Sequence, residues 1–251
     1  MKNLKKISLA LLIVLFMSNC KKNTATTDTP TTFKCTSCTT TPEAQAANNT
    51  STKGIYIGVL IGSTGTIKFD IANSGTSITG IMIIDGVTVN LTTSTAIVSG
   101  QKYSAVFTGL LNGSSVSVTF SINADGTNPV ITLPSIPGHP NAAFLLNKET
   151  STSLIEAYNG TYSTTTGTTV TETGTFNMLL SRSAATWSVI IRASTSTSTQ
   201  INTDYGTISN NMLIEANSNN KVIATLSGDQ LDGKFTGGNS EVTTVTGKRV
   251  L

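Results

Sequence analysis

The sequence predicts an all-β protein, an antiparallel meander that closes into a barrel or barrel-like sandwich of ten or more strands and reads as two duplicated halves. Three observations carry this. Threonine is about one residue in five or six and stands with plentiful Val and Ile; β-branched side chains suit a pleated, half-buried surface. Short apolar or alternating runs recur, separated by Gly-containing pairs such as Asp85-Gly86, Asn112-Gly113 and Asp125-Gly126 that favour tight turns. No segment sustains the period of about 3.6 residues that marks an amphipathic helix.

The chain opens on something other than a strand. Lys2, Lys5 and Lys6 precede an apolar run over residues 9–16, which ends in Met17-Ser18-Asn19-Cys20. That run is shorter than the roughly 20 residues a transmembrane helix needs. A basic start, apolar middle and small polar end make residues 1–19 a secretory signal, with Cys20 as the first residue after it. Together with Cys20-Lys21-Lys22, this segment resembles the looser lipoboxes of spirochaetal and Bacteroidetes lipoproteins. Asn19 and Met17 depart from the commoner box, which prefers Gly, Ala or Ser and Leu there. The resemblance implies diacylation of Cys20 through a thioether, acylation of its amine, and residence at the outer membrane by that lipid. It implies no cofactor and no activity.

Removing residues 1–19 changes the charge argument. Three of the 16 basic residues leave with the signal, so 13 face 13 acidic ones and the net charge falls from +3 to zero. No basic patch is left for nucleic acid, which is a poor partner for such a chain. The partners that remain are the membrane, through the lipid, and a host or envelope protein or a glycan. Charged residues make up 12% of the chain, against roughly a quarter in ordinary soluble domains. Hydroxyls, rather than charges, carry its solubility.

Residues 20–52 read as a Thr-rich flexible tether, because stretches such as Thr39-Thr40-Thr41-Pro42 offer little to bury. Cys35 and Cys38 form a lone CxxC within it. In an oxidising envelope a small disulfide loop is the favoured reading, with a free or metal-binding pair behind it. A redox CxxC would open a helix in a βαβ unit, and a zinc site would need more ligands than the single His139 supplies.

The β-domain spans residues 53–251. Strands are expected at 55–61, 66–71, 77–84 and 87–91, with further strands over 94–108 and 115–123. The segment Pro134-Ser135-Ile136-Pro137-Gly138-His139-Pro140 breaks the rhythm, since proline removes ladder donors; a strand at 142–146 follows it. Residues 148–157 carry the one short helix that the sequence suggests. The pattern then restarts at Tyr158-Asn159-Gly160-Thr161-Tyr162, much as it opened at Gly54-Ile55-Tyr56-Ile57-Gly58. Strands at 170–180, 187–193, 206–216, 221–227, 230–236 and 242–250 complete the chain. The two halves are 53–147 and 157–251, leaving open a single closed barrel or two packed meanders. Closure protects the edge N–H and C=O groups that many short strands would otherwise expose.

Candidate chemistry is sparse. His139 has no nucleophile elbow to serve, and Asp229 and Asp232 suit turn capping better than calcium, which takes six to eight oxygens. No catalytic residue and no metal site are expected, so the sequence reads as non-enzymatic. Tyr56, Tyr103, Tyr158 and Trp187 are candidates for a ligand platform, with core packing as their other use. The function expected is a membrane-anchored envelope lipoprotein whose β-domain makes surface contacts or serves a structural role. The alternative is a lipocalin-like barrel holding a small apolar ligand or glycan. Cys20→Ala should abolish globomycin-sensitive lipid labelling and release the protein from membranes; a variant that still took up lipid would overturn the reading of Cys20.

Overall fold

The computed structural model describes residues 32–196, 201–238 and 240–251; Cys20, the signal and the first third of the expected tether lie outside the described residues. What is described is all-β: sixteen antiparallel strands and one short 3-10 turn, Ala46–Asn48. The strands divide into two sheets of eight. Of the two arrangements open to the sequence, the chain adopts two packed halves.

The first sheet contains β1 (Gly54–Ile61), β2 (Gly65–Ile71), β3 (Ile78–Ile84), β4 (Val87–Thr92), β5 (Tyr103–Leu111), β6 (Ser114–Ile122), β7 (Val130–Ser135) and β8 (Ala143–Lys148). Its order is β7-β6-β5-β4-β3-β2-β1-β8, so it curls towards closure with β7 and β8 at its two edges. Pro134 lies within β7, whose pairing with β6 is broken by a register shift opposite Ser117 and Thr119. An edge strand is where a proline can sit, because its missing donor faces away from a partner. The expected proline loop therefore begins two residues later, at Ile136.

The second sheet is a closed barrel of β9 (Glu156–Thr166), β10 (Thr169–Ser181), β11 (Thr186–Ala193), β12 (Asn202–Ser209), β13 (Met212–Glu215), β14 (Val222–Ser227), β15 (Gln230–Thr236) and β16 (Val242–Arg249). Pairing of β16 with β9, from Val242 opposite Thr165 to Arg249 opposite Tyr158, completes the ring. Three expectations are corrected. Residues 206–216 are not one strand but a hairpin, β12 and β13, reversed at Asn210 and Asn211, both with positive φ; Asn tolerates that region better than most residues. Residues 94–102 are a loop rather than the start of β5. No helix forms over 148–157: β8 runs to Lys148, a small bridge joins Thr150 to Ser153, and β9 begins at Glu156.

Packing explains why β1 is a continuous apolar run. Tyr56 and Leu60 point into the first sheet's core with Phe69, Phe107 and Phe120. Ile55, Ile57, Val59 and Ile61 point the other way, onto Ala157, Leu179 and Ile190 of the second barrel. A strand covered on both faces has no reason to alternate. Each such side chain contributes on the order of 2 kcal/mol when fully buried. Asn177 adds a polar clasp, donating from Nδ2 to the carbonyl of Leu60 and, at 3.3 Å, to that of Ser63.

The segment before β1 also differs from the expected mobile spacer. Cys35 and Cys38 are joined as a disulfide. The Cys35 N–H donates to Asp229 at 2.8 Å and Arg249 donates to the Thr39 carbonyl, fixing this stretch to the second barrel. Further on, the N–H groups of Glu43 and Ala44 donate to the buried Glu149 carboxylate at 2.6 and 3.1 Å. Gln45 and Asn48 then bond Asn73 of the first sheet. Residues 33–52 thus form a strap across the junction of the two halves. Threonine-rich composition did not show this, because most of the strap's anchors are backbone groups and amide side chains such as Asn48.

Burial raises the Glu149 carboxyl above the usual carboxylate range, while the N–H donors from Glu43, Ile155 and Ala44 oppose the shift. Glu149→Ala leaves those buried donors without an acceptor and should cost about 1–3 kcal/mol of stability. Urea unfolding measures that loss. Limited proteolysis should then cut within residues 39–47, which the native chain protects.

Candidate functional site

An eight-stranded barrel is just wide enough either to fill with its own side chains or to hold one small ligand. The two halves take these two courses. The first is filled: Phe69 lies 4.7 Å from Phe107 and 4.6 Å from Phe120, ring centre to ring centre, and Tyr56 closes on Phe120 at 5.3 Å. The second is filled only at one end.

At that closed end, Tyr158, Leu180, Trp187, Leu213 and Leu226 are buried together. The Trp187 indole fits because β12 carries Gly206 beside it; a Cβ there would stand 2.8 Å from the ring and 1.9 Å from the Ile214 carbonyl oxygen. Its N–H donates to the carbonyls of Thr207 and Ile214 at 3.1 and 3.2 Å. Below this layer Glu156 receives Arg182 at 2.9 Å and lies 3.9 Å from Arg249, which reaches Asp229 at 3.5 Å. Buried charges of this kind hold only as a set, since removing one strands the others.

Above the layer is a cavity of about 270 Å3, near the lower end of the roughly 300–1,000 Å3 typical of ligand sites. Phe176, Met178, Val189, Ala224, Leu231 and Val245 form its apolar walls. It opens where β9 and β11 end and β10, β12, β14 and β16 begin, past Tyr162, Glu172, Asn202, Asp204, Glu215 and Phe235. The room exists because the inward positions near the mouth are small or polar, such as Thr164 and Thr243, where the first half has Ile, Leu and Phe.

The mouth is acidic. The Tyr162 hydroxyl donates to Glu172 at 2.6 Å, and burial together with that bond raises the phenol far above its ordinary value. Lys221 pairs with Glu215 at 3.2 Å and stands 4.5 Å from the centre of the Phe235 ring. Burial raises the Asp204 carboxyl, and Glu215 adds to that; the Tyr205 N–H and Lys221 oppose it.

None of the four aromatic candidates lines this cavity. Tyr56 and Tyr103 belong to the filled first half, where their hydroxyls donate to the Thr52 and Thr95 carbonyls at 2.7 and 3.0 Å. Burial holds the Tyr103 phenol up at about 12. Tyr158 and Trp187 lie beneath the cavity as its packed floor. Large aromatics went where most surface could be buried, and the lining fell to Tyr162, Phe176 and Phe235. The signal for these was the contrast in inward residues between the halves, which becomes legible only once the strand register is known.

His139 is a clasp rather than a base. Its Nε2 lies 3.2 Å from Asp85, and its other nitrogen 3.4 Å from the Gly62 carbonyl. Ser63 donates to the same Asp85 carboxylate at 2.6 Å. The carboxylate thus sits between hydroxyl and imidazole, whereas nucleophile activation needs the imidazole in that place. Asp229 is tied to Cys35 and Arg249, and Asp232 accepts from Gln230 and Thr246.

No family model and no curated protein matches the chain. A solved structure, the crystal structure of MucB in complex with MucA(peri), is 10% identical and covers 79% of this chain and 88% of its own, with a TM-score of 0.17. A likeness that slight bears on neither fold nor partner.

Because the folded Asp204 value lies above its unfolded one, its contribution to stability is present at low pH and is lost as pH rises through the folded value. An NMR titration should find Asp204 above the usual Asp value of about 3.9, and Glu215→Gln should move it back down.

Proposed function

We propose that the chain is a lipid-anchored envelope protein that holds a small apolar ligand in the lumen of its second barrel, without catalysing a reaction. One observation carries this reading: of two eight-stranded halves, one is packed solid while the other keeps an apolar, open-mouthed space among its inward side chains. Packed interiors rarely leave voids larger than a water, so a retained cavity with a defined mouth calls for an occupant. The filled half and the strap then act as the scaffold that keeps the second barrel in shape. The anchor rests on the lipobox resemblance around Cys20, and the outer membrane follows from it.

A surface-contact role is the second reading. Val106 and Leu110 stand exposed on the outer face of β5, and Leu133, 82% exposed, is held with positive φ in β7. These residues offer an apolar contact outside the lumen.

A neutral fluorescent probe, N-phenyl-1-naphthylamine, should bind the purified full chain and brighten on entering the lumen. Ala224→Phe, which places a ring in the cavity, should weaken binding by at least about tenfold, or about 1.4 kcal/mol. Val245→Trp, from β16 two strands further round the barrel, fills the same space as a second test should the first variant unfold. Equal probe binding by native and filled proteins would remove the lumen as the site.

A further inference from the structure

The mouth of the second barrel selects for charge as well as for size. Glu172 on β10, Asp204 on β12 and Glu215 on β13 all reach the cavity, and Glu241, just before β16, borders the adjoining groove beside Glu172. Facing them are the Tyr162 phenol from β9 and the Lys221 ammonium from the turn before β14. What β11, β14, β15 and β16 contribute to the lining is uncharged. Among the described residues, neither Glu172 nor Asp204 is ion-paired with a Lys, Arg or His. Lys221 thus serves Glu215 and acts on Asp204 beside it, while Glu172 has no ammonium, at the mouth of a space whose depth is apolar.

We infer that the ligand is a cationic amphiphile, a short alkyl or aryl group bearing a protonated amine, with its tail among Phe176, Met178 and Val189 and its head among Glu172 and Asp204. This rests on the ligand-binding reading above. The chain itself shows what the rim can seat: Lys221 lays its ammonium against a carboxylate, Glu215, and over an aromatic ring, Phe235. Carboxylate and ring face together make a cation site. Elsewhere on the rim Glu172 accepts the Tyr162 hydroxyl and has no ammonium of the chain's own. A fatty acid or a phosphate-headed lipid would bring like charge to the same rim, and that repulsion is the selective element. The cavity is also small, about 270 Å3, which suits a single short tail.

Three ligands of one tail length separate the two ideas: octylamine, octanol and octanoate, each displacing N-phenyl-1-naphthylamine from the purified full chain at neutral pH. Octylamine should displace the probe at a concentration about tenfold below octanol, with octanoate weakest, the scale expected for a partly desolvated charge-assisted contact. Glu172→Gln, an exposed substitution that the fold should tolerate, should narrow the amine-to-alcohol ratio. Adding Asp204→Asn should bring all three ligands within about threefold of one another. If octanol matches octylamine in the native protein, or octanoate exceeds both, the cationic head is wrong while the ligand-binding reading stands. A preference for octylamine that survives in the double variant would overturn these carboxylates as its cause. If neither the probe nor any of the three binds, both readings fail together.

Discussion

The eight residues of β1 serve two cores at once. Tyr56 and Leu60 complete the interior of the first half, while Ile55, Ile57, Val59 and Ile61 cover Leu179 and Ile190 of the second. Every residue of the strand is buried, so no position can change without a neighbour on one side noticing. Gly58 shows how tight the fit is: a Cβ there would approach Ile67 at 2.7 Å and the Leu145 carbonyl at 3.0 Å. The remaining structure depends on this strand. It sets the distance at which β8 and β2 pair on either side, and it presents the surface against which the closed barrel rests.

Given that junction, the two halves are free to differ inside. Both are meanders of eight strands, the second closed and the first left open between β7 and β8. Side-chain choice at inward positions decides the outcome. Isoleucine and phenylalanine on successive strands leave the first half solid. In the second, bulk gathers at one end around Trp187 and Tyr158, and threonine, asparagine and carboxylates take the other. Stability and capacity are thereby separated between two units of one fold, so the open half need not supply the whole of its own stability.

The fold class and the place where the chain restarts were legible because they depend on local signals: β-branched runs, Gly-containing turns, and the repeat of a Tyr/Gly strand at Tyr158. The errors share a cause as well. The Asn210-Asn211 reversal lacks the glycine that usually marks a two-residue hairpin. The short helix expected over 148–157 gives way to long-range contacts, for the Glu149 and Glu156 carboxylates are taken up by Ala44 and Arg182. The strap was hidden for the same reason: backbone donors carry no sequence signature, and their acceptors, Asp229 and Glu149, lie far along the chain. The site was hardest to read, since which threonine faces inward depends on a register that no local pattern sets.

The two ends of the second barrel are not equivalent. At the closed end, Phe33 lies beneath Lys248 and the strap is bonded to Asp229, Gln230 and Arg249, so the chain enters the described structure through the barrel's base. The lumen opens at the other end. The barrel is therefore a cup fastened by its foot, and the sense of that fastening is built into the polypeptide. The strap meets the barrel at the foot, and the mouth faces away from it. None of the strap's residues lines the cavity, so the contacts that hold the foot and the space at the mouth share no side chain.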